Sequence, residues 1–141
     1  MSVLADASTI FLALAKRMTV HVAGSCTLDL ARYELGNAAL RQLRLGTLSE
    51  EEAAELAEAS SSILGNMLVL RVEDEPEVLR LAAAMGLTFY DASYLHTAER
   101  LSLTLATEDA RLGRAAKRVG VPLTSLAGLQ YAEGQYRANP S

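Results

Sequence analysis

"LSLTLATEDARLGRAAKRVGVPLTSL", residues 101–126, reads as strand, helix and strand in immediate succession. The apolar run "LSLTLAT" passes into "EDARLGRAAKRVG", a helix that Gly120 closes, and "VPLTSL" turns apolar again. Two strands joined through a helix pair in parallel, and the crossover lays the helix against a face of the sheet. The same alternation extends toward the N-terminus. "SVLA" at 2–5 predicts a strand leading into "DASTIFLALAKR", and "NMLVLRV" predicts another. Between them, "TLDLARYELGNAALRQLRLG" predicts a helix from about Leu28 to Leu45, closed by Gly46, and Ser49 with Glu52 forms the capping-box pattern that opens "SEEEAAELAEASSSILG". Pro76 suits the first turn of "EPEVLRLAAAMG", where Val78, Leu81, Ala82 and Met85 form a stripe that Gly86 stops. "VHVAGSC", residues 20–26, takes no assignment. The expected architecture is α/β: a three-layer α/β/α sandwich around a mostly parallel sheet, forming one domain over residues 1–130. Residues 131–141 read as a polar tail of the composition found in disordered ends. In such sheets the functional crevice lies beyond the carboxyl ends of the strands.

Composition agrees with a globular protein of aliphatic core. Half of the 141 residues are hydrophobic and 21% charged, with five tyrosines, two phenylalanines and no tryptophan. A formal net charge of −4 argues against holding nucleic acid by bulk positive charge, but leaves room for acids that carry metal ions beside local arginines. The single Cys26 excludes an intrachain disulfide framework and a cysteine zinc site, and reads as a small buried hydrophobe. No run approaches the ~20 apolar residues of a membrane span, and no basic segment followed by a long apolar run marks a secretion signal. A reducing cytoplasm is the expected location.

The acids carry the chemistry. Asp91 heads a helical stripe with Tyr94, Leu95 and Ala98, the side that normally turns to the core. Asp6 ends the first strand, with Ile10, Ala13 and Leu14 following at helical spacing, and Asp109 sits beyond "LTLAT" ahead of Leu112, Ala116 and Val119. Glu34 lies within a helix at the edge of an apolar face formed by Ala31, Leu35 and Ala38. Capping alone accounts for any one of the aspartates, since Asp is a favoured N-cap and suits the helix dipole. It does not explain their shared inward side, or Glu34. Four carboxylates meeting at one sheet edge repel each other unless a hard cation joins them, and ligands that are all oxygen point to Mg²⁺ or Mn²⁺. His21 and His96 show no ligand spacing.

In order and spacing, "VLADASTI", "YELGNAAL", "GLTFYDASYLHTAERL" and "LATEDARL" resemble the PIN-domain ribonucleases, and most closely the small VapC toxins of toxin–antitoxin pairs. The likeness runs from the first strand to about Leu123. It implies that Asp6, Glu34, Asp91 and Asp109 are the family's acidic quartet. Asp6 and Asp91 would be the firmest metal ligands, and Glu34 and Asp109 would complete the site directly or through water. Ser8, Asn37 and Thr107 would form a supporting shell, although each is equally suited to a local cap or turn.

The implied activity is a Mg²⁺- or Mn²⁺-dependent endoribonuclease with one or two ions per site. Its expected partners are an RNA substrate, a small antitoxin and a second copy in a homodimer. On one helix Arg41 and Arg44 continue the stripe of Glu34 and Asn37, and Arg111, Arg114 and Arg118 share a face after Asp109; such rows could grip flanking phosphates or serve as ordinary solvated faces. The alternative is a non-catalytic PIN-like protein-interaction module. A phosphoacceptor receiver lacks its second acid near Asp6, and a dinucleotide site lacks its glycine-rich first turn in "LADASTI".

Overall fold

A computed structural model describes residues 2–138. Five short strands, β1 (Val3–Ala5), β2 (Cys26–Leu28), β3 (Leu68–Leu70), β4 (Thr104–Ala106) and β5 (Leu123–Thr124), form one sheet. All pairings are parallel, in the order β3-β2-β1-β4-β5. The chain builds outward from β1 to one side, then returns to add β4 and β5 on the other. The carboxyl edge between β1 and β4 is therefore the point where the strand order reverses.

Seven helices cover the two faces: α1 (Ala7–Ala15), α2 (Ala31–Arg44), α3 (Glu50–Gly65), α4 (Glu75–Met85), α5 (Phe89–Leu101), α6 (Ala110–Val119) and α7 (Leu126–Ala138). Alternation along the strands sorts the core into two layers. Leu4, Leu28 and Leu105 point to one face and bury Val78 of α4, Leu95 of α5 and Leu112 of α6. Ala5 and Ala106 point to the other and meet Ile10 of α1, Leu35 of α2 and Ile63 of α3. The expected α/β/α sandwich is what these residues form.

The caps fall where the sequence places them. Ser49 and Glu52 make a reciprocal capping box, Pro76 lies in the first turn of α4, and Gly86 and Gly120 end α4 and α6 in the left-handed conformation that glycine adopts without strain.

Two expectations change. The unassigned "VHVAGSC" ends in β2, and the helix begins at Ala31, not Leu28. Thr27, fully buried in β2, donates from Oγ1 to the Ala5 carbonyl at 2.7 Å, a bond that replaces the apolar signal a longer strand would carry. The C-terminal segment expected as a polar tail is helical through residue 138, and residues 139–141 lie outside the described residues. Contacts remote in sequence hold it there. Leu126 is buried with the second core layer, its N–H donates to Glu108 Oε1 at 3.2 Å, and Glu133 pairs with His21 of a 3-10 turn at Thr19–His21. Among the described residues no helix is long and apolar enough to cross a membrane.

Candidate active site at the carboxyl edge of the sheet

Asp6 is the first residue after β1 and the N-cap of α1, fixed between the two central strands by its own N–H, which donates to the Ala106 carbonyl at 3.0 Å. Its carboxylate is nearly buried, at 4% exposure, and is surrounded by donors. Ser8 Oγ donates to Oδ1 at 2.6 Å, the Thr9 N–H donates to the same oxygen at 3.0 Å, and Thr107 Oγ1 donates to Oδ2. Thr107 follows β4, so residues after the two central strands hold one acid between them. Both hydroxyls are also acceptors. The Glu108 N–H donates to Ser8 Oγ at 2.9 Å, and the Asp109 N–H donates to Thr107 Oγ1 at 3.0 Å.

The other acids reach the same edge from different elements. Asp109 is the N-cap of α6, accepting from the Leu112 N–H at 3.0 Å, and is exposed and not core-facing as its spacing suggested. Asp91 is the third residue of α5, half-buried, above a stripe of fully buried Tyr94, Leu95 and Ala98. Glu34 lies in the first turn of α2 and accepts a 2.9 Å hydrogen bond from Tyr94 Oη.

Burial and neighbouring charge shift three of the four acids. Burial pushes the Glu34 carboxyl up to about 7, the Tyr94 hydrogen bond opposes this, and the charges of Asp6 and Asp91 add to it. Burial pushes Asp91 up to about 6, helped by Asp109 and Asp6 and opposed by Arg111. Asp6 is raised by burial despite its three donors, with Asp109 adding a little. Burial and Glu34 together hold the Tyr94 hydroxyl protonated.

The arrangement is not a ready-made metal cage. Among the described residues no group of three or more His, Cys, Asp or Glu side chains stands where it could hold an ion. Both oxygens of Asp6 and one of Glu34 turn to internal donors, which is how like-charged carboxylates relax without a cation. In chemistry the donor set still fits a hard divalent ion, since every member is an oxygen acid.

Around the acids, Arg41 shares a cavity of about 530 Å³ with Glu34 and Asn37, and Arg114 with Lys117 borders a second, of about 300 Å³, beside Asp109 and Thr107. Arg111 is near enough to stabilise the Asp91 carboxylate. Arg44 is exposed and lines neither cavity. None of Arg41, Arg44, Arg111 and Arg114 enters a salt bridge among the described residues. Ser8 and Thr107 brace Asp6 as a supporting shell would, whereas Asn37 is exposed and faces the first cavity. Sequence reasoning missed Tyr94, Lys117 and the tyrosines of the first cavity, Tyr33 and Tyr90. A signal for the last two was present: each immediately precedes a helix-borne acid, Glu34 or Asp91.

The PIN-domain family model matches residues 4–118, nearly the whole sheet with its helices. This chain belongs to the PIN-domain family. Its PIN domain is 39% identical over 113 residues to the exonuclease VapC9 of Pyrobaculum aerophilum, a match covering 77% of this chain and 81% of that protein. It is 38% identical over 90 residues to the ribonuclease VapC3 of the same organism, covering 61% of this chain and 66% of that one. The crystal structure of PAE2754 from Pyrobaculum aerophilum superposes with a TM-score of 0.77 at 33% identity, over 92% of this chain and 93% of that one.

Proposed function

We propose that this PIN domain is a Mg²⁺- or Mn²⁺-dependent endoribonuclease and the toxin of a toxin–antitoxin pair. The observation that carries the reading is the placement of Asp6, Glu34, Asp91 and Asp109 at the carboxyl edge of the sheet, where burial and neighbouring carboxylates raise Asp6, Glu34 and Asp91 above the ordinary carboxylate range. Asp6 and Asp91 would hold the cation, with Glu34 and Asp109 joining directly or through water. When bound, such an ion supplies a more acidic water and stabilises charge on the departing oxygen.

The chain's own residues do the rest. Ser8, Thr107 and the Thr9 N–H fix the orientation of Asp6, and Tyr94 fixes Glu34. Arg41 in the cavity beside Glu34, and Arg114 with Lys117 in the cavity beside Asp109, offer cations to the phosphates flanking the reacting one. The names of the two curated relatives support nuclease activity and the toxin role. With that role come a small antitoxin that covers the site, with α3 and α4 as candidate surfaces, a homodimer, and residence in the cytoplasm.

The absence of a ready cation cage among the described residues favours one other reading, a PIN-like module that binds protein and cuts nothing. Incubation of the purified protein with a single-stranded RNA blocked at both ends separates the two. Cleavage in Mg²⁺ or Mn²⁺, none in EDTA, and none by Asp6→Asn or Asp91→Asn variants that still fold is the expected result. No cleavage with either metal, together with no metal binding by calorimetry, refutes the nuclease reading.

A further inference from the structure

The cavity beside Glu34 has a composition that ion binding does not require. Its walls include Tyr33 of α2 and Tyr90 of α5, which are 73% and 60% exposed. Exposed apolar residues are ordinary when scattered, but two aromatic rings lining one cavity next to an acidic site are not scattered. Helix geometry explains how they come to be there. Successive helical residues are ~100° apart, so where Glu34 and Asp91 turn to the sheet edge, the preceding tyrosines lie round the helix on the solvent side. Both rings thereby line the cavity that Glu34 also lines. Leu30 and Ala38 add apolar lining, Asn37 an amide and Arg41 a guanidinium.

We infer that this cavity takes an unpaired nucleobase of the RNA, stacked on Tyr33 or Tyr90, with Arg41 on the adjoining phosphate and Asn37 toward the base edge. The inference rests on the nuclease reading and names what its site recognises. A cavity of about 530 Å³ lies within the ~300–1,000 Å³ usual for small-ligand sites. A neutral, flat ring suits a space bounded by both Glu34 and Arg41, where a bare anion would meet the carboxylate. Aromatic stacking works on any base, because every base has a π-face, and it demands a base that is not already paired. The site would therefore favour single strands and loops over duplex, and the amide of Asn37 would set whatever base preference exists.

The test titrates a short single-stranded RNA carrying one 2-aminopurine with the wild-type protein, in EDTA and again in Mg²⁺. It is repeated with Tyr33→Ala, Tyr90→Ala and the two Tyr→Phe variants, with melting curves as fold controls. Stacking quenches the probe. The expected result is quenching by the wild type, a loss of affinity on the order of tenfold in at least one alanine variant, and recovery in the matching phenylalanine variant. In cleavage assays the alanine variant should raise KM more than it alters kcat. Absence of quenching in both buffers, or alanine variants that bind and cleave like the wild type, overturns the inference; RNA binding without quenching would leave the tyrosines as a protein-docking patch. The two readings fail separately. Wild type that quenches but neither cuts RNA nor binds metal refutes the nuclease and keeps the base site, whereas cleavage indifferent to both tyrosines does the reverse.

Discussion

Tyr94 Oη donates a 2.9 Å hydrogen bond to Glu34 Oε1, tying α5 to α2 across the site. The tyrosine is 1% exposed, so its hydroxyl exchanges no bond with water to compensate for losing this one. It is also the one neighbour that favours the charged form of Glu34. Tyr94→Phe should therefore push the Glu34 titration above its present value of about 7, seen in a carbon-detected NMR titration of the metal-free protein. The loss of stability should be about 1 kcal/mol in a urea melt. An unmoved Glu34 midpoint would show that the bond does not form in solution.

Glu34 also makes stability depend on pH in a stated direction. Its folded value of about 7 lies above the ordinary 4.5, so the folded state binds more protons than the unfolded state between those values. The stability it contributes is present below about 4.5 and is lost as pH rises through about 7. Asp91, raised to about 6, adds a loss of the same sign. In EDTA, Glu34→Gln should melt a few degrees higher than wild type at about pH 8, with the difference vanishing toward pH ~4.5. An equal gap at both pH values would mean that the substitution acts by packing and not by charge.

How much of this could be read beforehand follows from what each residue's neighbours are. Asp6 and Asp109 stand at strand-to-helix junctions, Asp91 lies in the first turn of α5 after α4, and Gly86 and Gly120 mark helix ends, so local pattern alone pointed to the carboxyl edge. β2 escaped because Gly24, Ser25 and the polar Thr27 break the apolar run that marks the other strands; it exists through Cys26 pairing with Leu4 on one side and Leu68 on the other. The role of Tyr94 was hidden for a related reason. Its ring belongs to the apolar stripe of α5, and only the fold brings the hydroxyl to Glu34, 60 residues away in sequence. Tyr33 and Tyr90 carried a signal in the acids that follow them, but that the two line one cavity is visible only once the fold brings α2 and α5 together.

Thr107 offers a way to perturb the acids without changing any of them. Its hydroxyl donates to Asp6 and accepts from the Asp109 N–H, so one oxygen holds the Asp6 carboxylate and the backbone of Asp109. Thr107→Val keeps the shape and removes both bonds. Mn²⁺ affinity measured by calorimetry should fall about 10- to 100-fold, the usual consequence of losing a group that orients a ligand. Unchanged affinity would mean that Asp6 reorients on binding and that Thr107 serves only the metal-free state.

The C-terminal helix tests what makes a polar segment part of a domain. Leu126 is 2% exposed and belongs to the core layer of Ile10 and Leu35, while Glu133 reaches His21 through a contact whose side chains are 29% and 15% exposed. Leu126→Ala removes buried volume and should cost about 2–5 kcal/mol in chemical denaturation. Glu133→Gln disturbs a partly solvated pair and should cost less than about 1 kcal/mol, with most of the effect suppressed at high salt. If the two costs were reversed, the helix would be held by its charge contact. If neither variant changed the melt, α7 would unfold independently of the sheet and the domain would end near β5.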